Sequence, residues 1–245
     1  MESKGHWVFL HGTPLTPAVW TSIAHGVSSA AASISRPSLN SRGDAAAHAA
    51  RIADQLPKHD MITVVGHSFG GQVAIDLALV LAREKRLGGL ALLCTRATPF
   101  PPFREAAEFI RSAHASDPEV TIDRWFTPEE RRYGAPVIEY AKERLRDADP
   151  EVWADALESI SRYDRESDLA TISAPSMVIA AEYDIVSPPG VMEAMAARLP
   201  RSRFHVLRDT SHMGPFLRPD VISGLLRQGL GREARTVGDS GSTHV

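Results

Sequence analysis

The chain has 245 residues, 43% of them hydrophobic and 23% charged, enough to bury a sizeable core and unlike the apolar-poor, highly charged composition of a disordered chain. A formal net charge of −3 with no dense Lys/Arg block excludes the electrostatic footprint of a nucleic-acid binder and favours a small neutral or mildly polar molecule as partner. The single cysteine, Cys94, excludes an internal disulfide framework and a cysteine-based zinc cluster.

Taken in chain order, the start "MESKGHWVFLHG" has an apolar run too short for a signal peptide or a membrane span, so a cytoplasmic protein is expected. Short β-type runs then alternate with longer helical runs, the pattern of βαβ units around a parallel sheet. The clearest strands are His6 to Leu10, Met61 to Val65, Leu90 to Cys94, Ser176 to Ala181 and Arg203 to Leu207, with a weaker one at Ala31 to Ser35. Continuous apolar runs of this kind suit strands covered on both faces. Cys94, in "LALLCT", reads as a buried structural thiol. Between the strands, "AAAHAARIADQL", "GQVAIDLALVLARE", "PGVMEAMAARL" and "PDVISGLLRQGL" carry apolar residues at helical spacing, several with Pro near the start.

After Cys94 the alternation stops until about Ser176. The stretches "REAAEFIRSAHA", "APVIEYAKERLRDA" and "PEVWADALESISRYD" read as helices, while Pro118, Pro128, Pro136 and Pro150 read as turn punctuation. Because both flanks return to the same strand pattern, this is expected to be a helical lid grafted between two strands. The last residues, 233–245, lack apolar periodicity and read as a frayed tail.

The stretch "VVGHSFGGQ" places Ser68 between Gly66 and Gly70, where a strand turns into a helix. A nucleophile on such an elbow occupies a strained backbone conformation, and bulky neighbours would collide there. A serine hydroxyl is a poor nucleophile without a base to take its proton and a third group to orient that base. His212, in "DTSHMGPF", follows the last strand and lies on a loop at the same sheet edge as the elbow. His205 falls inside a strand, and His67 should point away from its neighbour Ser68. The loop "AAEYDIVSPP" supplies two acids, of which Asp184 lies deeper in the turn and is taken to orient His212, with Glu182 as the alternative; "TRATP", after Cys94, offers none. Donors for a developing oxyanion are expected from the N–H of Phe69, next to the nucleophile, and from the N–H of Thr13 in "FLHGTPL", where Pro14 has no N–H to give.

In that order, "HG", "GHSFGG", "EYDIVSPP" and "SHMGPFLRPD" resemble the α/β-hydrolase superfamily, specifically its compact capped members: small esterases, lactonases, cofactor-free haloperoxidases and C–C hydrolases. The resemblance spans roughly residues 6–230 and the order Ser, acid, His is that of the fold. It implies a Ser68, Asp184, His212 triad and an oxyanion hole at Thr13 and Phe69. It also implies a mostly parallel sheet with helices on both faces, a core of residues 1–98 and 165–232, and an all-helical cap at 99–164. Two features depart from the family. The chain starts almost directly at the His-Gly strand, without the usual leading hairpin, and "RPSLNSRGD" (Arg36 to Asp44) stands where a Gly-rich motif is usual. The "RGD" within it is expected to be coincidence.

Trp125, Phe126, Met213 and His11 are the expected substrate contacts, drawn from a wider set with Phe103, Tyr133, Trp153 and Phe216, most of which should pack the cap or the core. Trp20 should pack the first helix. The expected activity is hydrolysis of a small carboxylic ester, lactone or thioester through an acyl-enzyme, with no metal or cofactor and no nucleic-acid or membrane partner, by a monomer or homodimer. Alternatives are a C–C hydrolase or cofactor-free lyase with the same triad, and a ligand-binding protein with an idle one.

Overall fold

The computed structural model describes residues 5–28, 32–113 and 117–231; the tail expected at 233–245 lies outside them. Six strands, β1 (Gly5–Leu10), β2 (Ala32–Ser35), β3 (Met61–His67), β4 (Leu87–Leu93), β5 (Ser176–Ala181) and β6 (Ser202–Leu207), form one sheet in the order β2-β1-β3-β4-β5-β6. Every neighbouring pair is parallel. Parallel neighbours require crossovers, and helices supply them: α1 (Thr21–Val27), α2 (Ala45–Gln55), α3 (Phe69–Arg83) and α9 (Pro189–Arg198) each bridge one pair of consecutive strands, and α11 (Pro219–Leu230) closes the described chain. β3, β4 and β5 are buried along almost their whole length, as strands with both faces covered must be.

The chain runs outward from β1 to the edge strand β2, then returns past β1 to β3 and continues to β6. Crossovers therefore leave β1 and β3 in opposite directions, which opens a crevice at their carboxyl ends where parallel sheets place ligands. Ser68 follows β3 and Thr13 follows β1, so both meet at this switch point.

The strand readings hold to within a few residues, with one displacement. β4 begins at Leu87 and ends at Leu93, so Cys94 lies beyond it at φ 46°, although its N–H still reaches Ile179 O at 3.0 Å. Between β4 and β5 stand five helices: α4 (Pro102–Ala113), α5 (Pro118–Trp125), α6 (Pro128–Tyr133), α7 (Ala135–Arg146) and α8 (Pro150–Arg162). The sequence reading missed α5 and α6, because it took their prolines only as turns. Pro118, Pro128 and Pro150 each open a helix behind a side-chain cap: Asp117 accepts the Glu119 N–H, Thr127 accepts the Glu130 N–H, and Asp149 accepts the Glu151 N–H. Proline at the first helical turn gives up no hydrogen bond that the helix would have used. A short helix, α10 (Gly214–Leu217), follows the His212 loop.

The "RGD" stretch makes contacts within the fold. Arg42 forms an ion pair with Asp155 of α8 at 2.8 Å, and Asp44 caps α2 by accepting the Ala47 N–H at 2.9 Å.

The packing around the elbow separates two glycines sharply. A Cβ on Gly70 would lie 2.3 Å from Leu10 O, whereas one on Gly224, inside α11, would meet nothing within 4 Å. Gly70→Ala is expected to destabilise the fold by about 3 kcal/mol through backbone displacement. Gly224→Ala should stabilise it by about 0.5 to 1 kcal/mol, since glycine is unfavourable inside a helix. Urea unfolding of the two variants measures both; equal effects would contradict this packing.

Candidate active site

Ser68 sits at φ 55° and ψ −124° between β3 and α3. The chain can turn this sharply because Gly66 and Gly70 press backbone on backbone: a Cβ on Gly66 would lie 2.3 Å from Gly70 O. The Ser68 N–H donates to Leu93 O at 3.1 Å, and its carbonyl accepts the Gly71 N–H at 2.9 Å and the Thr95 hydroxyl at 2.7 Å. The backbone is thus held on both sides while the side chain faces a cavity.

His212 and Asp184 come together because β5 and β6 pair to their ends. Glu182 N–H donates to Leu207 O at 3.0 Å and Tyr183 N–H to Thr210 O at 2.8 Å, which sets the two following loops side by side. His212 Nδ1 then lies 2.8 Å from Asp184 Oδ2, with His212 3% and Asp184 2% exposed. Asp184 Oδ1 also accepts the N–H groups of Val186 at 2.9 Å and Ser187 at 3.1 Å. Burial pushes the Asp184 carboxyl up, but the facing His212, their hydrogen bond and the two N–H donors outweigh it and hold the pKa below the usual carboxylate value. With Nδ1–H donated to Asp184, Nε2 is the basic nitrogen of the ring. His212 and Ser68 border the same cavity, and no hydrogen bond joins their side chains among the described residues. Apo sites commonly tighten such contacts only when substrate binds. Glu182 is occupied elsewhere, by the Arg208 guanidinium and the Asp209 N–H, each at 2.9 Å.

His67 turns away from Ser68, as read from sequence. Its Nε2 donates to the His212 carbonyl at 2.9 Å, and its ring lies against those of His212 and Phe216 at 4.9 and 4.8 Å. Cys94 is buried against Asp184, and burial drives its thiol pKa well up.

Phe69 opens α3, where the first N–H groups have no partner within the helix. Thr13 lies on the cavity wall in a turn closed by the Leu15 N–H on Gly12 O at 3.0 Å. His11, expected to touch substrate, does not line the cavity. It is fully buried, accepting the Leu39 N–H on Nε2 at 3.0 Å and donating from Nδ1 to Gly12 O at 2.9 Å. Its role is to tie the Thr13 turn to the Arg36–Asp44 loop.

The cavity measures about 400 Å³, and the helices between β4 and β5 form most of its wall. Trp125, Phe103 and Trp153 line it; Phe126 and Met213 do not. Phe126 follows the last turn of α5 in extended backbone and turns into the core at 2% exposure, and Met213 is fully buried beneath His212. The same helices grip the His212 loop: Met213 N–H donates to Trp125 O at 3.1 Å, and the Ser211 N–H reaches both oxygens of Glu130 at 3.2 Å. Glu130 was not singled out from sequence. Its signal was present as a capping box, Thr127-Pro128-Glu129-Glu130, whose acid also accepts the Thr127 N–H at 2.8 Å. A larger cleft of about 730 Å³ opens at the opposite sheet end, where β3 to β6 begin, away from Ser68. No group of three or more potential metal-ligating side chains occurs among the described residues, and no helix there is long and apolar enough to cross a membrane.

Comparison with known proteins gives the same architecture. The model of the alpha/beta hydrolase family matches residues 7–225. A thermophilic esterase from Thermogutta terrifontis, with malate bound, is similar at 27% identity and a TM-score of 0.80, over 96% of this chain and 91% of that one. The enol-lactonase from Burkholderia xenovorans (20% identity, TM-score 0.82, 93% and 92% covered) and MenH from S. aureus (17%, 0.81, 96% and 96%) share the fold.

The buried histidines carry a pH signature. Burial holds His67 neutral, with its pKa lowered from 6.5 to about 3, the nearby His212 adding to the effect. Burial also lowers His11 to about 4, against the opposing bond to Gly12. An unfolded chain protonates both near 6.5, so between about 6.5 and 4 it binds protons that the fold refuses, and stability must fall as pH drops. Asp184 adds a loss in the same direction at lower pH, below the ordinary carboxylate pKa. Denaturant midpoints between pH 7 and 4.5 should decline, with up to about 1.4 kcal/mol per pH unit from each fully buried histidine. His67→Gln, which can still donate to the His212 carbonyl, should flatten that decline; an unchanged slope would contradict the assignment.

Proposed function

The chain belongs to the alpha/beta hydrolase family, and from that premise we propose that it is a serine hydrolase cleaving small carboxylic esters or lactones, with Ser68, His212 and Asp184 as its triad. One observation carries the reading: the buried 2.8 Å bond from His212 Nδ1 to Asp184 Oδ2, on a histidine that borders the same cavity as an elbow serine. The esterase similarity at 27% identity supports it.

In this reading His212 Nε2 takes the Ser68 proton as Oγ attacks the carbonyl carbon. The tetrahedral oxyanion rests on the N–H groups of Phe69 and Thr13, each such donor contributing about 3 kcal/mol to lowering the barrier. The developing charge also meets the amino-terminal end of α3. His212 then returns the proton to the leaving alcohol. Water enters, gives its proton to the same nitrogen, attacks the acyl carbon and releases the acid with Ser68 restored. Asp184 keeps the imidazole in the tautomer that leaves Nε2 basic and stabilises the imidazolium formed at each step. The helices of residues 99–164 act as a cap: their aromatic wall favours an acyl or alcohol portion with an apolar segment and keeps bulk water from the intermediate.

A panel of p-nitrophenyl esters from acetate to octanoate tests the proposal. Turnover should fall by at least about 10⁴-fold in Ser68→Ala and in His212→Ala, and by a comparable factor in Asp184→Asn, which strands the wrong tautomer. Hydrolysis that survives Ser68→Ala but not His212→Ala would overturn the nucleophile and favour a histidine-centred proton transfer.

A further inference from the structure

The cavity beside Ser68 is walled chiefly by hydrocarbon, yet it includes the guanidinium-bearing Arg124, the only Lys or Arg along it among the described residues. Three arginines on the neighbouring helices are engaged in ion pairs. Arg111 pairs with Asp155 and Glu158 at 2.8 Å, Arg131 with Glu119 at 2.9 Å, and Arg144 with Asp147 at 2.9 Å. Arg124 has no hydrogen bond or ion pair from its side chain to any described residue. The one carboxylate on the same wall, Asp117, is used as the cap of α5, accepting the Glu119 N–H at 2.9 Å. A guanidinium bordering a largely apolar cavity, with no protein partner of its own, is available to a bound anion.

The position of Arg124 is also tied to the reacting groups. Its carbonyl accepts the Ser211 hydroxyl at 3.4 Å, and the next carbonyl, Trp125 O, accepts the Met213 N–H at 3.1 Å. These contacts flank His212 on both sides, so the last turn of α5 and the base share one frame.

We infer that Arg124 recognises a carboxylate on the substrate, so that the site takes monoanionic esters or lactones whose carboxylate lies across an apolar segment from the scissile carbonyl. The guanidinium fork matches a carboxylate bidentately, and the aromatic wall holds the methylenes between the two ends. The inference rests on the hydrolase reading above and names the substrate class of that site.

The monomethyl esters of succinic, glutaric and adipic acids, each beside its dimethyl ester, provide the test. Two readouts are taken: kcat/KM with the intact enzyme, and calorimetric binding to Ser68→Ala, which needs no turnover. At least one monoester should exceed its diester by about tenfold or more in both, as a charge-assisted hydrogen bond provides. Arg124→Met should collapse that ratio towards one, and Arg124→Lys should recover part of it. Equal binding of every monoester and its diester to Ser68→Ala, or a preference that persists in Arg124→Met, would overturn the inference. Arg124-dependent binding with no hydrolysis of either ester would sustain it and sink the hydrolase reading; hydrolysis of both with no Arg124-dependent preference would do the reverse.

Discussion

Ser68 is held at φ 55°, a conformation that costs a non-glycine residue on the order of 1 to 3 kcal/mol and persists only where its surroundings over-determine it. The surroundings here do so from three sides. Backbone of β1 and of α3 touch through Gly70, the end of β4 accepts the Ser68 N–H, and Thr95 ties down its carbonyl. The strain lifts the hydroxyl out of the sheet at the switch point, where the β1 turn, the β3 elbow and the cavity meet.

The histidine is held by a different device. A chain of ring contacts runs from the centre of the sheet to the cavity: Phe9 to Trp20 at 5.3 Å, Trp20 to Phe216 at 5.0 Å, Phe216 to His67 at 4.8 Å, His67 to His212 at 4.9 Å, and His212 to Trp125 at 6.2 Å. Interiors are close-packed and transmit displacement, so the orientation of the His212 ring is referred to the core on one side and to α5 on the other. The helical segment after β4 therefore does more than cover the cavity. Through Trp125, Glu130 and the Ser211 and Met213 N–H groups, it helps fix the loop that carries His212.

Much of this was legible in the sequence because it rests on local rules. Apolar runs marked the strands, and glycines around Ser68 marked an elbow whose need for them is a matter of backbone distance. Loops after two late strands offered one histidine and two acids. The choice between Asp184 and Glu182 rested on depth in the turn, and the geometry agrees, since Glu182 spends its oxygens on Arg208 and Asp209. What escaped depends on contacts distant in sequence. His11 meets Leu39 and so becomes a strut, not a ligand contact. Trp125 and Phe126 are neighbours in the chain, yet only the first lines the cavity, because α5 ends at Trp125 and the extended backbone at Phe126 turns the second into the core. Arg124 on an amphipathic helix reads as a solvated charge until the apolar wall around it is known.

The account stands on an alcohol made reactive by a neighbouring imidazole. Treatment of the folded protein with a fluorophosphonate, followed by peptide mass mapping, examines that claim directly. The account requires a single adduct on Ser68 that forms rapidly in the native chain and at least about a thousandfold more slowly in His212→Gln. Labelling elsewhere with Ser68 untouched, or labelling of Ser68 at the same rate without the imidazole, would contradict it.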